Sequence, residues 1–510
     1  MNSLVKLPEP LLLFRHNQAM EDPRDGLTLF GPFDSGSLYG LRTGVVGTSS
    51  GIDKFCGWTH RIQTPVRTKR HIIARPPFPG FEAVFRIPWA SNPVQVVTID
   101  EEELKKRLFQ DDRHQRVYQT VALFAEAIIK AHTEEEAKPD VWFVVIPDIV
   151  RQYCRPQSII EPDVRVEAKR YFSENLRLNT RRAKELLSQP SLFAKENTEA
   201  EPYSYKEHFR NQLKARLLPH LIATQVLRES TVANIGVRGD TRREQSEELL
   251  QSQIAWNIST TAFYKAGARP WKVGGIREGV AYIGLVFKRD SRFGDNRSAA
   301  CGAQMFLDSG DGVVFKGAIG KWFDTATDEF HLSGEAAHDL IAMAVNSYKS
   351  KHNGQAPKEL FIHGQTRFNW REWEGFSSAV DASTNLVGIR IRDDKSLKMF
   401  RKSDNPILRG TAYVSTPREA FLWTRGWTPR LRTYPGMEVP NPLSVEITKG
   451  EGDINVVLAD ILALTKLNYN TCRYGDGKPI TLKFADAVGD VLTAGPSASA
   501  GAPLPFQYYI

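Results

Sequence analysis

HFRNQLKARLLPHLIATQVLRE, residues His208–Glu229, combines an amphipathic helix, a break at a proline and a short apolar segment ending at Thr224-Gln225. Arg210 and Lys214 are four residues apart, so they lie on one face of the predicted helix. The leucines form the opposite, core-facing stripe. A cationic pair followed by Gln225 suits an anion held at a fixed point, and phosphate is the first candidate because it accepts charged and directional donors. A solvated basic face is the alternative interpretation.

Length, composition and net charge restrict the class of protein and the number of domains. At 510 residues the chain is too long for one ordinary core, which predicts two or three domains. A hydrophobic content of 41% and a charged content of 25% are typical of a globular protein. The net charge of +8 suits a polyanionic partner such as nucleic acid without requiring one.

Cysteine usage and hydropathy indicate a cytoplasmic, soluble protein with no membrane partner. The four cysteines are far apart and form no CxxC or Cys/His cluster, which argues against structural zinc and against a disulfide framework. No apolar run approaches the roughly 20 residues that a membrane span needs. The apolar patch near the N-terminus is too short for a signal peptide.

The first half of the chain predicts an α/β domain. A strand at Gly44–Val46 runs into the turn GTSSG, which lacks the lysine of a Walker loop and is therefore interpreted as a strand-to-helix turn. Thr98 with Glu101 predicts a capping box, and VWFVVIP at 141–147 predicts a fully buried parallel strand. The charged residues 155–205 are interpreted as a surface insertion.

A second polar insertion, Arg238–Gln251, precedes a helix that is predicted to end at Gly267. Lys265 lies in the last turn of that helix, where a lysine is either a partner of the helix dipole or a functional residue.

The second half predicts an RNase H-like domain, because strands near 279–289 and 299–317 form a hairpin and are followed by a helix, further strands and two terminal helices. These last helices are expected at Asp453–Asn468 and near Leu482–Leu492. Asp308 and Asp311 are interpreted as turn residues of this hairpin. The tail GAPLPFQYYI is apolar to its last residue and is predicted to pack, which would give the carboxylate of Ile510 a defined position.

Several segments together resemble the short prokaryotic Argonautes, which consist of a MID and a PIWI domain. They are DPRDGLTLFGPF (22–33), VWFVVIPDIVRQYCRP (141–156), QLKARLLPHLIATQVLRES (212–230), YKAGARPWKVG (264–274), YIGLVF (282–287), MEVPNPL (437–443), LALTKLNYNTC (462–472) and the final YYI. The resemblance implies a Rossmann-like MID domain over residues 1–265 and an RNase H-like PIWI domain over residues 266–510.

The family also implies a pocket for the 5′-phosphate of a guide strand. Its residues here would be Arg210, Lys214, Gln225, Lys265 and Ile510. A magnesium ion held by Gln225 and Ile510 would bridge the phosphate and the terminal carboxylate, which otherwise repel each other. Many relatives have Tyr or His where Arg210 stands, so this contact departs from the family pattern.

The same comparison argues against cleavage by this chain. Cutting Argonautes hold two divalent ions with clustered carboxylates. Val286 occupies the position of the first aspartate and His363 that of the second, and neither side chain replaces a carboxylate for hard cations. Asp290 is a carboxylate close to Val286 in the sequence. For His363 the favoured interpretation is an ordinary histidine at the end of a strand.

A guide-loading chain that does not cut needs a partner. The resemblance implies a defence system in which guide RNA and target single-stranded DNA activate an effector fused to an Argonaute-associated PAZ-like (APAZ) domain. A TIR-APAZ NAD⁺ hydrolase is expected as heterodimer partner, with a sirtuin-like or nuclease effector as the alternative and a higher oligomer on activation. Backbone contacts are suggested from charge alone for Arg367, Arg390, Arg392, Lys395 and Lys398. Two competing hypotheses remain, a guide-directed endonuclease and a single-strand binding module indifferent to the 5′-phosphate.

Overall fold

The computed structural model describes residues 3–68, 72–169, 178, 180–233, 242–289, 298–307, 312–325, 328–434, 436, 438–496 and 503–510. Within these ranges the strands are, in chain order, β1 (Ser3–Lys6), β2 (Leu12–Leu13), β3 (Ala19–Met20), β4 (Thr43–Gly47), β5 (Gln95–Thr98), β6 (Val141–Ile146), β7 (Thr224–Arg228), β8 (Lys272–Val273), β9 (Val280–Arg289), β10 (Ser298–Leu307), β11 (Gly312–Lys321), β12 (Phe323–Asp324), β13 (Glu329–Phe330), β14 (Glu359–Gly364), β15 (Asn385–Asp393), β16 (Thr411–Thr416), β17 (Glu419–Trp423), β18 (Leu443–Lys449) and β19 (Leu504–Pro505).

The α-helices of the same ranges are α1 (Pro23–Phe30), α2 (Ser49–Arg61), α3 (Phe81–Phe85), α4 (Glu101–Leu108), α5 (Arg113–Glu134), α6 (Asp148–Tyr153), α7 (Pro162–Ala168), α8 (Thr180–Ser188), α9 (Ala194–Ala200), α10 (Phe209–Leu217), α11 (Glu229–Ala233), α12 (Arg242–Lys265), α13 (Gly334–Lys351), α14 (Trp370–Ser378), α15 (Ile454–Leu464), α16 (Ile480–Lys483) and α17 (Ala485–Leu492). No helix in the described part of the chain has the length and hydropathy needed to cross a bilayer.

The first sheet is parallel throughout and has the order β5-β4-β6-β7. Strand β6, one of its two inner strands, is buried at every position, as the continuous apolar run predicts. The turn after β4 begins α2, whose N-cap Thr48 accepts from the Gly51 amide at 3.2 Å. The capping box predicted at Thr98 is wrong, because β5 extends through that residue and Asp100 caps α4 instead. This sheet is the predicted Rossmann-like unit.

The segment His208–Glu229 folds as helix α10, a short 3₁₀ turn at Leu218–His220, and strand β7. Leu213 and Leu217 are fully buried, so the helix faces the core with the stripe that its sequence indicates. The helix and the strand therefore bring the cationic pair and Gln225 into one unit.

The two predicted insertions differ in outcome. Within residues 155–205, α8, α9 and the 3₁₀ turn after them build a separate small apolar cluster of Ala183, Leu186, Ala200 and Tyr203. Much of the polar segment Arg238–Gln251 is helical, because α12 begins at Arg242 and Leu249 is buried in it; residues 238–241 lie outside the described ranges. Its many Glu, Gln and Arg residues are good helix formers, which explains the longer helix.

The second sheet has ten strands in the order β1-β16-β17-β18-β15-β14-β9-β10-β11-β19. Strands β9, β10 and β11 are antiparallel neighbours, and β14 and β15 run parallel to β9. This is the predicted RNase H-like arrangement. Strand β18 was not predicted, the helix expected at Asp453–Asn468 is the shorter α15, and the one expected near Leu482–Leu492 is divided into α16 and α17. Asp290, Asp308 and Asp311 lie outside the described residues.

Two strands of the N-terminal segment pair with strands of the second half of the chain. Strand β1 pairs with β16 at the edge of the ten-stranded sheet, and β2 pairs with β8, which follows the parallel-sheet unit. The domain division at residue 265 stays a prediction, but β1 departs from it because its hydrogen-bonding partner is a strand more than 400 residues later in the chain.

Candidate anion-binding site

The C-terminal tail connects the two sheets. Strand β19 pairs with β11, a 3₁₀ turn at Phe506–Tyr508 follows, and Tyr509 and Ile510 are buried. The tail is packed, as its apolar sequence predicts. It delivers the main-chain oxygen of Ile510 to the start of β7, next to α10 and the last turn of α12.

Two lysine ammonium groups meet at this point. Lys214 Nζ and Lys265 Nζ each lie 2.6 Å from the main-chain oxygen of Ile510. Both also donate to the carbonyl of Thr224, at 3.2 Å and 2.7 Å respectively. Lys214 Nζ lies 3.4 Å from the carbonyl oxygen of Tyr508. The structure thus brings together three of the residues that the sequence comparison selected, although they lie up to 296 positions apart.

The two ammonium groups are deeply buried, at 2% and 1% exposure. Among the described residues neither is paired with an acidic side chain. Burial lowers the pKa of Lys214 well below its usual value, and the neighbouring cations Lys265 and Arg210 lower it further. Burial and then Arg210 lower the pKa of Lys265 in the same direction. Buried positive charge with no acidic side chain beside it in the described structure favours binding of an anion.

Gln225 and Arg210 complete the predicted set at different distances. Gln225 Oε1 accepts from Lys265 Nζ at 2.8 Å, so its carbonyl lies inside the cluster. Arg210 reaches the carbonyl oxygen of Tyr509 only at 3.5 Å, and its guanidinium pKa is lowered by burial. Arg210 therefore lies at the edge of the lysine cluster, a name kept below for Lys214, Lys265 and the oxygens that they contact.

The donor set for a magnesium ion can be compared with these positions. Gln225 Oε1 and the Ile510 oxygen both accept from Lys265 Nζ, at 2.8 Å and 2.6 Å, so both oxygens contact the same ammonium group. Both are hard oxygen donors of the kind that Mg²⁺ takes. Two neighbouring ammonium groups repel a bare cation, so the residues fit Mg²⁺ together with an anion that outweighs this repulsion.

The two positions that the resemblance equates with catalytic carboxylates lie on neighbouring strands. His363 on β14 pairs with Gly284 on β9, and Val286 stands two residues farther along β9. His363 is 1% exposed, its Nδ1 lies 2.9 Å from Thr481 Oγ1, and its Nε2 is buried with no hydrogen-bond partner in the described structure. Burial lowers its pKa to about 3. Within the described residues, no three His, Cys, Asp or Glu side chains are placed to hold a metal.

A second cationic feature has no counterpart among the residues selected from the sequence. A cavity of about 560 Å³, the arginine cavity, lies where the N-terminal segment, α12 and two loops of the second half meet. Five arginines line it: Arg24, Arg75, Arg409, Arg425 and Arg473. Trp256, Asn257 and Tyr434 contribute to its wall. The five arginines come from five separate segments, so no local pattern could have found them.

Some of the side chains suggested from charge as contacts to a nucleic-acid backbone already have partners within the chain. Arg367 and Arg390 both pair with Glu446, at 2.9 Å and 3.2 Å. Lys398 donates to Asn441, and Arg392 lines a smaller cavity of about 210 Å³ together with Lys478. Arg392 and Lys395 are exposed. Their role in binding stays a prediction, and the shared carboxylate reduces the net charge that the first two present.

Comparison with known proteins supports the fold. No protein-family model matches the chain, and no curated protein matches it significantly. The solved structure of Clostridium butyricum Argonaute bound to a guide DNA and a 19-mer target DNA matches with a TM-score of 0.61 and 15% identity over 100% of this chain and 55% of that one. Drosophila Piwi matches with a TM-score of 0.56 and 12% identity, over 99% and 56%.

Aquifex aeolicus Argonaute matches with a TM-score of 0.54 and 13% identity, over 99% of this chain and 57% of that one. This chain therefore spans about half the length of the structures that it matches. At these identities the likeness concerns the fold alone. The chain has an Argonaute-like fold, with a parallel sheet and a large mixed sheet that match the MID and PIWI domains of Argonaute and Piwi structures.

Proposed function

We propose that this chain is the guide-binding, target-sensing subunit of a prokaryotic immune system. The observation that carries the proposal is the lysine cluster, in which two buried ammonium groups face one main-chain oxygen with no acidic side chain beside them in the described structure. The C. butyricum Argonaute of similar fold was solved with a guide DNA and a target DNA bound, which supports nucleic-acid partners for this chain.

The ligand of the lysine cluster is the 5′-phosphate of a guide RNA. A terminal phosphate carries close to two negative charges and accepts from several donors at once, which Lys214 and Lys265 supply. Mg²⁺ held by Gln225 and Ile510 offsets repulsion between the phosphate and the chain terminus. Lys214 and Lys265 place the phosphate, and because both ammonium groups are buried, water is largely excluded from the phosphate that they bind.

The guide continues from the lysine cluster along α12. Lys265 ends this helix and Asn257 stands eight residues earlier, so the arginine cavity begins about 12 Å away along the helix axis. Exposed arginines at that distance suit the next phosphates of the strand. Trp256 and Tyr434 add apolar surface to a cavity whose charge comes from the arginines.

The complementary single-stranded DNA is bound and not cut. Two-metal hydrolysis needs carboxylates at the positions of Val286 and His363. The imidazole of His363 is enclosed, neutral and hydrogen-bonded to Thr481, so it offers no charged ligand to a hard cation. Recognition then rests on base pairing between guide and target, while the protein holds the backbone.

The output of recognition comes from a partner. The resemblance of the sequence to short Argonautes supports a heterodimer with a TIR-APAZ protein in the cytoplasm, in which target binding switches on NAD⁺ hydrolysis and a higher oligomer forms. A sirtuin-like or nuclease effector is the alternative partner.

The test uses the chain purified with its genomic neighbour, loaded with a 5′-phosphorylated guide RNA and given complementary single-stranded DNA. Both the DNA and NAD⁺ are followed over time. Loss of NAD⁺ with intact DNA supports the sensor role. Cut DNA would contradict it, unless the chain without its neighbour, given Mg²⁺ or Mn²⁺, leaves the DNA intact, which would assign cleavage to a nuclease partner.

A matched guide with a 5′-hydroxyl separates guide binding from general single-strand binding. Phosphate-dependent loading is expected for a guide protein. Equal retention of both strands would instead support a single-strand binding module.

A further inference from the structure

We infer that Glu9 is a positioning residue for guide binding, because it holds Arg409 between the two loops that carry the free arginines of the arginine cavity. The inference rests on the proposed function, since it assigns that cavity to the guide backbone. It concerns a residue of the N-terminal segment that lies far in sequence from the lysine cluster and touches no ligand itself.

The Glu9 carboxylate is held by two buried cations. Its Oε1 and Oε2 lie 3.0 Å and 3.1 Å from Arg409 Nε, and its Oε1 lies 2.8 Å from Lys466 Nζ. The side chain of Arg409 is 5% exposed and that of Lys466 is fully buried. Burial alone would raise the pKa of Glu9, but Arg409 and then Lys466 outweigh it and lower that pKa, so Glu9 stays ionised.

Arg409 in turn connects the two loops. Its Nη1 donates to the carbonyl oxygens of Thr424 and Asp476, and its Nη2 donates to Thr465 Oγ1 at 2.7 Å. Thr424 begins the loop after β17, and Asp476 lies in the loop Cys472–Gly477. With Glu9 on Nε, every nitrogen of the guanidinium has a partner, so this arginine is a spacer between loops and not a free ligand-binding group.

The same loops carry the arginines that are available to a ligand. Arg425 follows Thr424 directly, and Arg473 precedes Tyr474. Both are exposed, both line the arginine cavity, and in the described structure neither forms an ion pair. The two loops approach each other closely, since a Cβ at Gly477 would overlap Arg425 Nε. Their spacing therefore depends on how tightly the two loops are held together.

A second contact from the N-terminal segment fixes the loop Cys472–Gly477. Tyr474 Oη donates to Glu21 Oε2 at 2.7 Å, and Lys466 Nζ lies 4.2 Å from the centre of the Tyr474 ring. Lys466 also donates to the carbonyl oxygen of Glu21 at 2.9 Å. Glu9 is the carboxylate that Lys466 and Arg409 share, so its loss leaves both buried cations without their ion-pair partner.

The test compares Glu9→Gln with Glu126→Gln, which removes the same charge from an exposed position on α5. Two probes are used, a 5′-phosphorylated dinucleotide that reaches only the lysine cluster and a 5′-phosphorylated guide RNA that reaches the arginine cavity. Glu9→Gln should bind the dinucleotide like the wild type and the guide about tenfold more weakly, with a shallower dependence of affinity on salt by about one unit. Glu126→Gln should match the wild type with both probes.

A double-mutant cycle separates positioning from a general loss of stability. In a chain that already carries Arg425→Gln and Arg473→Gln, Glu9→Gln should cause no further loss of guide affinity, because the arginines that it positions are gone. A full additional loss there, or equal weakening of both probes, would overturn the inference. Should Glu9→Gln not fold, Glu9→Asp keeps the charge with a shorter side chain and should give the same selective loss for the guide. Wild-type affinity for the guide equal to that of Glu9→Asp would also overturn it.

Failure of the proposed function is distinguishable from failure of this inference. If the wild type binds guides with a 5′-hydroxyl as well as those with a 5′-phosphate, the guide role itself is wrong. If phosphate dependence holds and Glu9→Gln changes nothing, only the positioning role is wrong.

Discussion

Replacing Lys265 by methionine tests the lysine cluster most directly. Methionine has a similar length and no charge, so the substitution removes one buried ammonium while largely preserving packing. The lost group makes hydrogen bonds of 2.6, 2.7 and 2.8 Å to the oxygens of Ile510, Thr224 and Gln225. It also lowers the pKa of Lys214, after burial itself, so the variant should raise that pKa toward its usual value.

The magnitude follows from the chemistry of the contact. A charge-assisted hydrogen bond to phosphate contributes about 1.5–3 kcal/mol, which corresponds to roughly a 10- to 150-fold loss of affinity for a 5′-phosphorylated guide. A guide with a 5′-hydroxyl should bind as before. Stability should fall by about 1–3 kcal/mol, because the oxygen of Gln225 loses its donor in a buried site.

The assay is equilibrium binding of both guides to wild type, Lys265→Met and the control Lys130→Met, which removes a lysine from an exposed position of α5. Denaturant unfolding checks that the variants are folded under binding conditions. The reasoning is refuted if Lys265→Met keeps the preference of the wild type for the 5′-phosphate, or if Lys130→Met loses it equally.

Three further outcomes are expected. Deleting Tyr509 and Ile510 should abolish the preference for a 5′-phosphate in the same binding assay, because the oxygen that places both ammonium groups and would help to hold Mg²⁺ is lost; an unchanged preference would contradict this. Burial lowers the pKa of Lys214 and Lys265 while a bound phosphate would raise it, so binding should take up protons and guide affinity should fall as the pH rises through the lowered values, as a pH series of binding isotherms would show. Burial lowers the pKa of His363 to about 3, so below its ordinary pKa of 6.5 the unfolded state takes up a proton that the folded state does not, and acidification destabilises the fold. In unfolding experiments between about pH 6 and 4, His363→Asn should therefore lose less stability than the wild type, by up to about 1.4 kcal/mol per pH unit.

Much of the fold was readable in the sequence because its signals are local. The run VWFVVIP indicated a strand buried on both faces, and β6 is buried at every position. The start of helix α4 was predicted wrongly because pairing with a neighbouring strand sets where strand β5 ends. Thr98 looked like a helix cap in isolation, but it pairs with Gly47 on β4, so the strand extends and the cap moves to Asp100. Strand β18 does carry a local signal, since Leu443, Val445 and Ile447 alternate with polar residues and are buried, but it was not predicted.

By itself, the sequence determined which chemical groups are available: a cationic pair four residues apart on α10, Lys265 in the last turn of a helix, and an apolar tail that ends at Ile510. Only the resemblance implied that Lys265 and Ile510 join the cationic pair, and that Val286 and His363 stand where cutting relatives have carboxylates. The tertiary structure decided that Lys214 and Lys265 contact the same oxygen of Ile510, that β1 joins the far sheet, and that five arginines from separate segments line one cavity. The physical reason is that spacing along a helix fixes direction within one element, whereas burial of charge depends on which distant elements exclude water from it.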